Sequence, residues 1–166
     1  SYLSQFDGYY FSGDGGYKDA DGYVYITGRI DDIINVAGHR LSTAEMEEVV
    51  AAHGAVAECC VIGVADELKG QIPIGFYVLK SGVDLSKNLI EAELIQMVRH
   101  RIGPVAAFKR AVAVERLPKT RSGKILRKVM RAIADQRPFN PPSTIEDVGV
   151  LGEMEMVMKK ERIGKF

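Results

Sequence analysis

Cysteine is scarce in this 166-residue chain, and its two copies, Cys59 and Cys60, are adjacent within an apolar run. Neighbours on a strand point to opposite faces, so the pair excludes both a mutual disulfide and a cysteine metal site. Two small thiols in a reducing compartment remain the reading. No apolar run reaches the length of a bilayer-spanning helix, so no such segment and no membrane partner is expected. No signal peptide opens the chain, and its start at Ser1 rather than Met leads us to expect a piece of something larger. Net charge is missing too: 22 Lys+Arg balance 22 Asp+Glu, which argues against a dedicated nucleic-acid binder. Internal repeats and low-complexity stretches are also absent.

What is present is ordinary in amount and uneven in placement. Hydrophobic residues at 46% and charged residues at 27% suit one proper core with a small appendage. Residues 1–70 carry 12 Asp/Glu against 4 Lys/Arg, whereas residues 99–131 hold 11 Lys/Arg and one acid, Glu115. Half of all the cations therefore lie in 33 residues.

Residues 9–28 alternate aromatics and glycines around Asp19-Ala20-Asp21-Gly22, the pattern of a β-hairpin. A second short pair turns at Val36-Ala37-Gly38. Ser42-Thr43-Ala44-Glu45 is a capping box launching a helix whose apolar face uses Met46, Val49 and Val50. Residues 56–64, 72–79 and 109–115 read as strands. Residues 86–102 and 122–134 read as helices, and a last helix is expected around 152–162. The expected fold is α/β of the α+β type: a compact domain with a small central sheet of about three strands flanked by helices, preceded by β-hairpins.

The most telling stretch is Pro118-Lys119-Thr120-Arg121-Ser122-Gly123-Lys124. A helix over 122–134 would place Lys124 in its first turn, where exposed N–H groups already present partial positive charge. A bound anion would reverse that penalty, so something negative is expected to visit Lys124. Ser12-Gly13-Asp14-Gly15-Gly16 lacks the spacing of a Walker loop and is either a plain turn or a loop whose Asp14 accepts sugar hydroxyls. Arg29, before Asp31 and Asp32, either forms local ion pairs or reaches a phosphate or ribose. Arg40 follows a glycine in Gly38-His39-Arg40-Leu41. Arg99 lies about 180° around its helix from Ile90 and faces solvent, which suits both a plain surface residue and a polyanion contact. Arg127, Lys128 and Arg131 read as a solvated helix face.

Taken in this order and spacing, Ser12-Gly13-Asp14, Ile26-Thr27-Gly28-Arg29, Gly38-His39-Arg40-Leu41 and the run ending at Lys124 resemble the late motifs of the AMP-forming acyl-CoA synthetases, members of the adenylate-forming superfamily. The tail Ser143-Thr144-Ile145-Glu146-Asp147 resembles the end of acetyl-CoA synthetases, and the wording is most similar to the mitochondrial short-chain (propionyl/acetyl) branch.

The resemblance implies a two-domain parent in which residues 1–30 close a large N-terminal adenylating domain, Asp31 is the hinge, 32–135 form a C-terminal lid and 136–166 a tail. It implies ATP, coenzyme A, Mg2+ and a short-chain carboxylate as small-molecule ligands, the missing N-terminal domain of the same chain as partner, and the mitochondrial matrix as location. By the same resemblance Lys124 is the adenylation catalyst, Asp14, Arg29 and Arg40 bind nucleotide, and Ala37, Gly38 and Arg99 bind coenzyme A. A divalent cation is implied near Ala51, His53 and Val56, held partly through main-chain carbonyls. Three alternatives stay open: a nucleic-acid module using 119–131, a non-catalytic interaction domain, and the lid of an adenylation domain that loads a carrier protein.

Overall fold

The computed structural model describes residues 6–166, apart from the side chains of Thr27, Gly28 and Asp31. The first five residues of the expected large-domain stub lie outside the described residues. Strands β1 (Asp14–Lys18) and β2 (Val24–Arg29) form a two-stranded antiparallel sheet. A single 3-10 turn, Ile30–Asp32, with Asp31 at its centre, leads into β3 (Ile33–Val36) and β4 (His39–Ser42). Then come α1 (Thr43–Ala51), β5 (Val56–Asp66), β6 (Gly70–Leu79), α2 (Lys87–Arg101), β7 (Ala111–Ala113), α3 (Arg127–Ala134) and α4 (Gly149–Lys160).

The main sheet has five strands, with β5 against the full length of β6 and both β3 and β7 on β6's other edge. Side chains alternate across β5 and β6. Cys60, Ile62, Val64, Ile74 and Phe76 enter one core with α3 and α4, whereas Val61 and Tyr77 enter another with α1 and α2. The sheet is thus covered on both faces. Each large side chain so buried contributes about 1.5–3 kcal/mol before conformational entropy is subtracted.

Local chemistry explains the helices that the periodicity identifies. Ser42 caps α1 by accepting from the Glu45 N–H at 3.4 Å, and Ser86 caps α2 by accepting from the Leu89 N–H at 3.2 Å. Ile90, Leu94 and Val98 form the buried stripe of α2.

Several expectations are corrected. The hairpin expected to precede the sheet joins it, because Val36 pairs with Gly70, so the sheet has five strands rather than about three. The strand expected over 109–115 shrinks to three residues paired parallel to β6. The helix expected from 122 begins only at Arg127: Gly123 has φ +81° and Leu126 ψ 59°, neither of which continues an α-helix. Lys124 is therefore not in a helical first turn. The last helix runs Gly149–Lys160, and its Val150, Leu151, Met154 and Met158 belong to the core, so 136–166 is packed rather than trailing.

Two glycines separate torsional from steric cost. At Gly164, φ is +78° and an added Cβ would lie 2.0 Å from the Ala134 carbonyl oxygen, which already accepts the Lys165 N–H at 2.9 Å. At Gly38, φ is +87° but nothing lies within 4 Å of the added atom. Urea unfolding should show Gly38→Ala costing about 1–2 kcal/mol and Gly164→Ala distinctly more, through a break of the C-terminal clamp. Equal losses would refute the steric reading.

Candidate functional site

The register of the first hairpin sets Asp14 opposite Arg29. The Arg29 guanidinium donates to the Ser12 carbonyl at 2.7 Å and to Asp14 Oδ1 at 3.3 Å. The left-handed Gly13 (φ +78°) lets it approach, since a Cβ there would lie 3.0 Å from Arg29 Nη2. Two residues expected at a nucleotide thus meet as an exposed ion pair, and in water such a pair is weak enough to exchange for a ligand.

Ala37 and Gly38 form the two-residue loop between β3 and β4, with φ +49° and +87°. Positive φ at both central positions is the turn whose twist suits a hairpin. Ala37 pays strain there, and its N–H is tied to the Lys69 carbonyl at 2.8 Å, so the loop is docked on the β5–β6 connection. Arg40 lies next to it on β4 and is exposed. The structure brings Ala37, Gly38 and Arg40 onto one hairpin.

Lys124 occupies a tight turn between residues 118–120 and 124–126. Thr120 N–H donates to the Lys124 carbonyl at 2.9 Å, Gly123 N–H donates to the Thr120 carbonyl at 2.8 Å, and Lys124 N–H donates to Thr120 Oγ1 at 3.1 Å. Thr120 Oγ1 also lies 2.9 Å from Ser122 Oγ. The N–H and carbonyl of Lys124 are both engaged while its side chain is exposed, with no partner among the described residues.

Arg99 is exposed on α2, as expected, beside a cleft of about 200 Å³ lined by Ile95, Pro104, Phe108 and Lys109 among others. Ala51 ends α1, and Val56 N–H donates to the His53 carbonyl at 3.1 Å. The His53 imidazole accepts from the Ala55 N–H at Nδ1 (3.1 Å) and therefore donates from Nε2 to Glu93 (2.9 Å). Both ring nitrogens are committed, so the imidazole does not fit a cation ligand in this fold, and only main-chain carbonyls of the turn remain. No group of three or more His, Cys, Asp or Glu able to hold a metal exists among the described residues.

The sequence reading missed the joint around Glu47. Its carboxylate accepts Arg127 Nε at 2.9 Å and Nη2 at 2.6 Å, together with the Val61 N–H at 2.8 Å. Arg127 is therefore a half-buried structural residue and not part of a solvated face. The only hint in sequence is that Arg127 adjoins the apolar face of its helix; its partner is 80 residues away. Beside this joint the Cys59 thiol is pushed up to about 11, by burial first and by Glu47 second. Cys60, fully buried, is raised further by the same two causes.

The mixed sheet with helices on both faces, the charged hairpin ahead of it and the exposed lysine on a glycine turn are compatible with the C-terminal domain of an adenylate-forming enzyme that the motifs resemble. Residues 45–124 match the AMP-binding enzyme C-terminal domain, and this span belongs to that family. It is 57% identical over 164 residues to an uncharacterized protein of Pseudomonas aeruginosa, covering 99% of this chain and 26% of that one. It is 49% identical to acyl-CoA synthetase short-chain family member B, mitochondrial, of Dictyostelium discoideum (98% and 24% covered). It is 46% identical to the human acyl-CoA synthetase short-chain family member 3, mitochondrial (96% and 23%). The chain thus spans about a quarter of the length of these relatives. Among solved structures it resembles an anthranilate CoA ligase, AuaEII, in complex with anthranoyl-AMP, with TM-score 0.60, 35% identity, and 73% and 23% of the two chains covered. ATP-bound MatB from Rhodopseudomonas palustris gives TM-score 0.61 at 28% identity, with 75% and 24% covered.

Away from the site, Arg116 donates to Asp147 at 2.6 Å and to Glu153 at 3.0 and 2.6 Å. Hydrogen bonds from Arg116 hold both carboxyls below their ordinary range. A depressed folded value means that the native state binds those protons less readily than the unfolded chain. The contribution is present above about pH 4 and is lost as pH falls through the depressed values. Urea midpoints between about pH 4 and pH 2 should fall more steeply for wild type than for Arg116→Gln. Parallel slopes would contradict the pairing.

Proposed function

We propose that this chain is the catalytic lid of a short-chain acyl-CoA synthetase. In the parent, a short-chain carboxylate such as propionate or acetate attacks the α-phosphorus of ATP, releasing pyrophosphate and leaving an acyl-adenylate. The thiol of coenzyme A then attacks the acyl carbonyl, and AMP departs with the phosphate oxygen. The short-chain names of the relatives support the substrate class, and the mitochondrial names support the matrix as location. The observation that carries the reading is Lys124: a side chain free among the described residues, on a turn that holds both its backbone N–H and its carbonyl, at the end of the span matched by the family model.

In this reading the Lys124 ammonium lies between the attacking carboxylate and the α-phosphate, offsetting charge that builds as pyrophosphate leaves. Asp14 accepts the ribose hydroxyls, Arg29 and Arg40 contact the nucleotide, and Ala37 and Gly38 border the path of the pantetheine arm. Asp31, in its 3-10 turn, is the hinge between the two half-reactions. Arg99 holds a phosphate of coenzyme A. Mg2+ accompanies ATP, and no step is assigned to a cation on this chain.

Two substitutions in the full-length parent test the division of labour. Lys124→Ala should lower adenylation, read by pyrophosphate exchange with propionate, by about 10²–10³-fold. Thioester formation from supplied propionyl-adenylate should stay near wild type. If both rates fall together, or exchange survives, Lys124 is not the adenylation catalyst. Arg99→Ala should raise the KM for coenzyme A by about tenfold, the loss of a charge-assisted hydrogen bond, and leave pyrophosphate exchange unchanged. A collapse of exchange would reassign Arg99.

A further inference from the structure

The turn that carries Lys124 has a second partner, contributed by residues outside the 45–124 span of the family match. Residues 144–146 run antiparallel to 119–121. Arg121 N–H donates to the Thr144 carbonyl and Glu146 N–H to the Lys119 carbonyl, both at 2.9 Å, bracketing a Thr120–Ile145 bridge. On the other edge, Leu126 N–H donates to the Pro118 carbonyl and Thr120 N–H to the Lys124 carbonyl, both at 2.9 Å, around a Lys119–Ile125 bridge. The lysine turn is therefore the hairpin part of a three-ply ribbon.

The outer ply is itself anchored. Ile145 is buried at 6% exposure in the core that holds Leu117, and its N–H donates to the Pro142 carbonyl at 3.0 Å. Asp147, next but one, accepts the Gly149 N–H at 2.8 Å at the start of α4 while pairing with Arg116. Lys119 pairs with Glu58 of β5 at 2.5 Å from the inner side. A lone two-stranded hairpin is marginal in water, and a third ply with a buried residue fixes its register. Lysine reaches its target through a long flexible stem, so only the backbone can set where that stem begins.

We propose that segment 144–146 is a positioning strap for Lys124, and that Thr120 is the junction through which it acts. Thr120 bridges Ile145, donates its N–H to Lys124 and accepts the Lys124 N–H on its hydroxyl. The strap holds the turn at the angle from which the ammonium meets the α-phosphate, so residues outside the matched span set the adenylation rate. This rests on the role given to Lys124 above.

The test uses the full-length parent with three variants. Glu146→Pro removes the N–H that bonds the Lys119 carbonyl, Thr120→Val removes the hydroxyl acceptor, and Thr120→Ser keeps it. The kcat of pyrophosphate exchange should fall about 10–100-fold in the first two, the scale of an ångström-sized misplacement. KM for ATP and thioester formation from supplied acyl-adenylate should stay near wild type, and Thr120→Ser should restore exchange. Unchanged exchange in both disrupted variants overturns the strap. So does a joint loss of both half-reactions with the melting temperature, or a failure of Thr120→Ser to restore the rate. Lys124→Ala run alongside separates the two ideas: if it retains exchange, the function proposed above fails. If it loses exchange while the strap variants keep it, only the strap fails.

Discussion

The Glu47 carboxylate sits where α1, β5 and α3 meet, and the arrangement of the two cores depends on it. It accepts the Val61 N–H from the central sheet and both forks of the Arg127 guanidinium, at distances from 2.6 to 2.9 Å. Arg127 is the first residue of α3, a helix with no side-chain cap and no acid in its first turn. A cation there opposes the helix dipole, and the neighbouring carboxylate cancels that penalty. Both partners are largely shielded, with side-chain exposures of 23% and 15%, so removing either would leave a charge poorly solvated at a cost of about 3 kcal/mol. The ion pair thereby connects helices on opposite faces of the sheet, and it fixes where α3 begins just after the lysine turn.

Short-range order was legible from composition and period. The two hairpins, the Ser42 and Ser86 caps and the Ile90, Leu94, Val98 stripe all follow from turn chemistry and spacing within a few residues. The errors lie where distant partners decide. Ser122-Gly123-Lys124-Ile125-Leu126 reads locally as a helix start, yet its neighbours 118–121 take it as a strand partner and Gly123 turns left-handed. Arg127 reads as solvated because nothing within a helical turn of it is acidic. Residues 109–115 read as a long strand, but only Ala111–Ala113 find a free edge of β6.

The candidate site was legible as a set of motifs and not as a set of contacts. Arg99 is exposed as its helical phase requires, whereas Asp14 meets Arg29 only through a register shift between Gly15 and Gly16 that no turn signal gives. His53 is expected near a cation held partly through main-chain carbonyls, and its imidazole joins Glu93, a contact between α2 and the turn after α1 that no spacing rule reveals. The cations of 99–131 divide accordingly: Arg110, Arg116, Lys119 and Arg127 are paired with acids, while Lys124 and Arg99 show no such partner among the described residues. Structural pairing thus takes at least four of the eleven cations in this stretch.

The two cysteines bear on chemical fidelity. Acyl groups move between sulfur atoms by attack of a thiolate, and a protein thiolate near a thioester would capture the product as an acyl-enzyme dead end. With Cys59 raised to about 11, roughly one molecule in three thousand carries that thiolate at pH 7.5, and buried Cys60 is more completely quenched. Burial is the main cause that keeps the Cys59 sulfur protonated, and the Glu47 charge that joins the helices adds to it. In the function proposed above, the domain would thus carry two sulfur atoms that are poor acceptors for activated acyl groups.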